Sequence, residues 1–307
     1  MAPGRPTEHR GRHECGHHPS IAPAEERTGA AHAANLAITV GSDTIAYRRF
    51  GNASASVPPL VLMQHFRGNL DYWDPALLDV LAGDREVITV DLPGVGGSTG
   101  TTPDTVAAMA RDALRFIDTL GLRVIDLLGF SLGGHIAQEI VLVRPRLVRR
   151  LVLAGTAPQG APDLHRWSED VYAYACADEI TPDGFIALFF SGSDDSIERG
   201  RAYLQRTHAR TEDRDPETTL VCRDAQYQAL MTWGIPESGK LERLSAITQP
   251  TLVANGDNDT MMSTKNSRLL ADHIRGAQLR IYPDSGHGFL DQYPVLFGQH
   301  IRQFLGV

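Results

Sequence analysis

The residues best suited to chemistry lie in "VIDLLGFSLGGHIAQEIV", residues 124–141. An apolar run ends at Gly129, Ser131 follows, and a helical pattern begins at once, giving G-x-S-x-G with Gly129 and Gly133 two residues either side of the serine. A strand that turns directly into a helix forces the residue at the corner into strained backbone angles, and side chains two positions away would collide. Ser131 is thereby expected to stand exposed at the helix N-terminus, where free N–H groups and the positive end of the helix gather.

A serine hydroxyl is a weak nucleophile until a base takes its proton. Of the twelve histidines, His9, His13, His17, His18 and His32 lie in or beside a polar N-terminal segment. His165 and His208 fall in a helical interval, and His135 lies one turn along the helix after Ser131. His287, in "IYPDSGHGFLDQYP", follows the last apolar strand in a glycine-flanked loop, at the sheet edge expected to carry Ser131. A carboxylate should orient that imidazole and stabilise its charged form. "TLVANGDNDTMM" offers Asp257 and Asp259 just past the preceding strand.

These residues need a scaffold, and the chain supplies one from residue 35 onward. The apolar runs "NLAITV", "TIAYRRF", "PLVLMQ", "EVITVDL", "VIDLLGF", "RLVLAG", "TLVANG" and "QLRIYP" read as eight strands. Amphipathic stretches separate most of the later ones. The clearest is "TPDTVAAMARDALRFIDTLGL", with Thr102-Pro103 as a start signal and Gly121 as a stop. Apolar strands alternating with helices indicate an α/β fold with a mostly parallel sheet, its helices on both faces. The first two runs, joined by Gly41–Asp43, should form an antiparallel hairpin at one edge.

Residues 163–245 break the rhythm, with helical patterns, no clear strand, and the aromatics Trp167, Tyr172, Tyr174, Phe185, Phe189, Phe190 and Tyr203. So long an interval exceeds a normal crossover and reads as a helical insertion over the sheet. The expected organisation is a disordered tail at 1–32, a first core segment at 33–162, the insertion at 163–245 and a second core segment at 246–307. The tail has almost no large apolar residues to offset its ordering entropy. Its His9, His13, Cys15, His17 and His18 fit no standard zinc spacing.

A formal charge of −8 with no basic stripe argues against a nucleic-acid partner. No apolar run reaches membrane-spanning length. The polar N-terminus does not read as a signal peptide. Cys15, Cys176 and Cys222 form no CxxC pair, so a reducing, cytoplasmic setting is expected. The expected partner is a small-molecule substrate.

With Ser131, His287 and an acid between them in sequence, the chain from residue 35 to its end resembles the α/β-hydrolase family. That resemblance implies an eight-stranded sheet, a helical cap and the triad order Ser, Asp, His. The family's acid commonly stands as G-x-x-D after the strand-end glycine. Gly256 puts it on Asp259, leaving Asp257 as a loop-capping carboxylate. "DLPGVGGST", residues 91–99, resembles the loop after the family's fourth strand. As a dinucleotide fingerprint it fails, because Thr99 stands at the third glycine position.

The family's oxyanion loop reads H-G-x, with a Trp seven residues after x. Counting back from Trp73 within "LVLMQHFRGNLDYW" places x on Phe66, with Gln64 and His65 at the His and Gly positions. The resemblance thus implies an oxyanion hole made by the backbone N–H groups of Phe66 and Leu132. Candidate substrate contacts are Gln64, His65, Arg67, Trp167 and Phe189. His65 reads as a partly buried, hydrogen-bonded side chain rather than a direct catalyst. Arg67 suits a substrate carboxylate, an ion pair with Asp71 or Asp74, or a solvated head. It stands where haloperoxidase-like relatives carry proline, which argues against peroxide chemistry.

The function implied is hydrolysis of a small carboxylic ester or lactone through an acyl-enzyme, with no metal or organic cofactor. A serine nucleophile sets the chain apart from haloalkane dehalogenase and epoxide hydrolase relatives, which use aspartate there. The alternatives are carbon–carbon bond hydrolysis with the same triad, and a small-molecule receptor or regulator that retains it.

Overall fold

All eight apolar runs become strands of one sheet, lying side by side in the order first, second, fourth, third, fifth, sixth, seventh and eighth along the chain. The computed structural model describes residues 29–306 apart from 55, 163 and 238, together with 1, 2 and 4. His9, His13, Cys15, His17 and His18 lie outside the described residues.

The strands are β1 (Leu36–Val40), β2 (Asp43–Gly51), β3 (Leu60–Met63), β4 (Glu86–Val90), β5 (Ile125–Phe130), β6 (Val148–Ala154), β7 (Thr251–Gly256) and β8 (Gln278–Tyr282). β1 and β2 form the expected hairpin, and β2 also runs antiparallel to β4. Every pairing from β4 to β8 is parallel. The central strands β3, β5 and β7 are buried at every position. That is why their sequences are apolar runs without alternation: helices cover both faces.

The flanking helices are α1 (Pro75–Ala82), α2 (Val106–Thr119) and α3 (Leu132–Val143), then, past the insertion, α9 (Thr264–His273), α10 (Phe289–Gln292) and α11 (Pro294–Leu305). α2 starts later than its Thr102-Pro103 signal suggested. Thr105 is the N-cap, its hydroxyl accepting from the Ala108 N–H, while Thr102 donates its hydroxyl proton to the Pro93 carbonyl. A threonine three residues closer to the first buried position wins because capping needs an oxygen in reach of the first turn. Gly121, at φ 72°, ends the segment as expected.

Part of the segment expected as a tail docks on α1. Ala30–His32 form a 3-10 turn, Ala30 is buried, and its N–H donates to Asp79 of α1 at 2.6 Å. The preceding polar sequence gave no hint of this docking.

Residues between β6 and β7 contain no strand among those described. They form α4 (Glu169–Ala175), α5 (Pro182–Phe189), α6 (Asp194–Thr207), α7 (Leu220–Trp233) and the short α8 (Gly239–Glu242). The first four start at Ser168, Thr181, Ser193 and Thr219, each of whose side chains accepts an N–H of the first turn. Among the described residues, no helix is long and apolar enough to cross a membrane.

Candidate active site

Ser131 sits between β5 and α3 with φ 56° and ψ −117°. A non-glycine residue in this region carries strain of about 1–3 kcal/mol, tolerated only where packing fixes it. The packing is tight. A Cβ on Gly129 would lie 2.3 Å from the Gly133 carbonyl oxygen, and one on Gly133 would lie 2.1 Å from the Met63 carbonyl oxygen. The two glycines are required because helix α3 crosses so close to the ends of β3 and β5.

His287 follows β8, and Asp259 follows β7. The Nδ1 of His287 lies 2.8 Å from Oδ2 of Asp259. The other carboxylate oxygen of Asp259 accepts the N–H groups of Met261 and Met262 at 2.9 and 2.8 Å. A carboxylate partner places the proton on Nδ1, so Nε2 carries the lone pair. Asp257, the other candidate, instead accepts the Ser285 N–H and holds the loop between β8 and His287. The imidazole rests on Phe130 (centroids 5.0 Å apart) and against the edge of Phe189 (5.3 Å).

The Ser131 hydroxyl oxygen and His287 Nε2 are both buried, have no protein partner, and line one small cavity. They do not hydrogen-bond each other in this conformation. The cavity is about 20 Å³, and His65, Phe66, Tyr72, Phe185, Leu188 and Met261 also wall it. A wider cavity of about 420 Å³ lies alongside, sharing Arg67, Tyr72, Ile180 and Phe185 as walls. Among the described residues, no protein acceptor pairs with the backbone N–H of Phe66 or of Leu132. No group of three His, Cys, Asp or Glu side chains there is arranged to hold a metal.

The five residues expected to contact substrate divide sharply. Phe189, His65 and Arg67 line the cavity of Ser131. The His65 Nδ1 lies 2.8 Å from the Phe66 carbonyl oxygen, which can only accept, so Nδ1 carries the proton. Burial pushes the His65 pKa down from 6.5 to about 3, so the ring is neutral. Gln64 does not face this cavity. Its Oε1 accepts the His65 N–H, and its side chain lines a separate void on the other side of the loop, beside Gly68 and Leu92. Trp167 also stands back, donating its indole N–H to the Met261 carbonyl and packing edge-on against Phe66 at 5.5 Å.

Arg67 lines both cavities, and backbone carbonyls rather than Asp71 or Asp74 hold its guanidinium. Its guanidinium donates to the carbonyls of Ala175, Ala177 and Asp178 just past α4, while Asp71 pairs with Arg48 and Asp74 with Arg206. The C-terminal carbonyls of a helix lack intrahelical partners and attract cations, so they capture the guanidinium. His135 is fully buried and stacks on Trp233 with centroids 5.2 Å apart.

Sequence reasoning missed Phe130, Tyr72, Leu188 and Met261. Phe130 stands inside G-x-S-x-G and was open to discovery there. The others occupy loops or helices with no motif.

Three comparisons bear on this geometry. Residues 58–294 match the alpha/beta hydrolase fold family. A solved alpha/beta hydrolase fold protein from Chitinophaga pinensis is 41% identical, superposes with a TM-score of 0.85, and covers 91% of this chain and 99% of its own. A poly(3-hydroxyalkanoate) depolymerase of Ectopseudomonas oleovorans is 31% identical over 80% of this chain and 84% of its own. A protein of Stutzerimonas stutzeri named as a carbamate hydrolase, RutD, is 28% identical over 78% of this chain and 89% of its own. With the family match spanning most of the sheet and both loops that carry Asp259 and His287, the chain belongs to the alpha/beta hydrolase fold family.

Proposed function

We propose that this protein is a serine hydrolase that cleaves a small carboxylic ester or lactone through an acyl-enzyme. Ser131 Oγ attacks the carbonyl carbon while His287 Nε2 takes its proton. Asp259 holds the imidazole and stabilises its charged form. The N–H groups of Phe66 and Leu132 receive the developing oxyanion. Collapse of the tetrahedral species expels the alcohol, which takes the proton from His287. Water, deprotonated in turn by His287, then attacks the acyl-enzyme and frees the acid and Ser131.

The observation that carries this reading is the shared cavity. An unpartnered serine hydroxyl on a strained corner and an unpartnered Nε2, its ring anchored to a carboxylate, face one apolar space. A cavity of about 20 Å³ has room for about one water-sized group, which favours a short acyl portion there. The leaving portion would extend into the wider neighbouring cavity, with the insertion acting as a cap. The names of relatives support hydrolysis at an acyl carbon, of a polyester in one case and a carbamate in another. The unpaired Cys176 and Cys222 suit a cytoplasmic setting.

Turnover of p-nitrophenyl acetate and butyrate tests the proposal. Ser131→Ala is expected to lower kcat by about 10⁵–10⁶-fold. Undiminished turnover in that variant would remove Ser131 from the reaction. A single slow turnover by the wild type, with a ligand-induced shift in melting temperature, would instead favour a receptor.

A further inference from the structure

The loop that carries Phe66 is built in an unfavourable way. The Gly68 N–H donates to the His65 carbonyl at 3.1 Å, closing a four-residue turn whose third residue, Arg67, has φ 64°. A positive φ at the third position is the type II pattern, which strongly prefers glycine there. Arginine in the left-handed region costs about 1–2 kcal/mol, so surrounding contacts must hold the turn.

Those contacts come from the insertion. The Arg67 N–H donates to the side-chain oxygen of Gln226 in α7 at 2.7 Å, and the Thr218 hydroxyl donates to the Arg67 carbonyl at 2.7 Å. Both bonds are buried. The stitching continues downstream: Asn69 donates to the Pro216 carbonyl, the Leu70 N–H donates to Asp215, and the Asp215 N–H donates to Asp71. Among the described core residues, only the proton on His65 Nδ1 holds the Phe66 carbonyl. The peptide joining Phe66 to Arg67 is therefore gripped on its oxygen by the core and on its hydrogen by the insertion.

We infer that Gln226, assisted by Thr218, is a positioning residue for the oxyanion loop, so that the docked insertion completes the hole at Phe66. The inference rests on the proposed acyl-transfer reading of the site. Without the Gln226 acceptor, a buried N–H loses its partner and the turn gains by swinging Arg67 back to negative φ. That rotation turns over the Phe66–Arg67 peptide, breaks the His65 contact and releases the adjoining His65–Phe66 peptide, whose N–H is the oxyanion donor, from its fixed orientation. Ground-state binding depends on the aromatic cavity walls, which remain.

The test compares Gln226→Met, which keeps the length and removes the acceptor, with Gln226→Glu, which keeps an acceptor, using p-nitrophenyl butyrate. Gln226→Met is expected to lower kcat about 10–100-fold with KM within about threefold, a fraction of the full loss of an oxyanion donor. Gln226→Glu should recover most of that loss. Thr218→Val should show the same split at about a tenth of the size or more, and it carries the test if Gln226→Met fails to fold. Wild-type kcat in a folded Gln226→Met or, failing that, in Thr218→Val would overturn the inference. So would equal losses in both Gln226 variants with KM rising in step, because that is the mark of general cap damage. Either result with an inactive Ser131→Ala leaves the acyl-transfer reading standing, whereas an active Ser131→Ala removes that reading itself.

Discussion

Ser131, Asp259 and His287 are placed by the strands that immediately precede them, whereas the loop carrying Phe66 is held by side chains 151 and 159 residues further along the chain than Arg67. In the first region, position follows from local backbone: a strand end, a close-packed glycine, a short loop. Its parts also check one another, since Asp259 is fixed by two N–H groups of its own loop before it meets His287. In the second region, a strained turn is held by hydrogen bonds from the insertion. On the proposed acyl-transfer reading, the sheet fixes the proton-transfer groups and the insertion tunes transition-state stabilisation.

Substitutions can break that contrast at graded strength. In the sheet-borne region, Asp259→Asn should lower kcat by about 10⁴-fold, through loss of the correct imidazole tautomer. Asp257→Asn should cost less than about tenfold, because its carboxylate ties the Ser285 N–H and the Asn258 amide rather than the imidazole. Equal losses in the two variants, measured under the same conditions, would erase the distinction drawn between these carboxylates.

In the insertion-held region, Phe66→Pro separates the amide from the turn. Proline favours the second position of a type II turn, so the loop should keep its course while the N–H disappears. Its kcat should fall about 10²–10³-fold below that of Phe66→Ala, which controls for the lost ring. Parity between the two would show that the Phe66 amide contributes nothing to catalysis.

The smallest effect concerns the contact between the two regions, where His135 of α3 stacks on Trp233 of α7. Burial pushes the His135 pKa down from 6.5 to about 3. The unfolded chain takes up that proton near 6.5 and the folded chain does not, so this residue's contribution to stability falls as pH drops from 6.5 toward 3. His135→Phe should therefore melt at a temperature that gains on the wild type as pH falls from 7 to 5. Parallel melting curves across that range would place the ring in contact with solvent.

Particular residues show where reading the sequence reaches its limit. Ser131 was legible because sterics demand Gly129 and Gly133 around it, and steric demands leave a local mark. The eight strands were legible for the same kind of reason, since a strand buried on both faces must be continuously apolar. Asp259 was narrower: composition offered two carboxylates, and only the family spacing chose between them. The partners of Arg67 were out of the sequence's reach, because they are backbone carbonyls at a helix end, and a carbonyl has no residue type. Gln64 and Trp167 were placed near the substrate by proximity in sequence or by composition, yet each turns its polar group toward the backbone nearby.

The sequence alone determined the sheet, the nucleophile corner, the His287 loop and the helical character of the insertion. Each is set by residue types within a few positions of one another. Only the tertiary structure decided which groups face the small cavity, and that Gln226 and Thr218 hold the Phe66 turn. Hydrogen bonds to backbone atoms leave no periodicity and no spacing, so partners so far apart in sequence become visible only once the insertion is folded against the sheet.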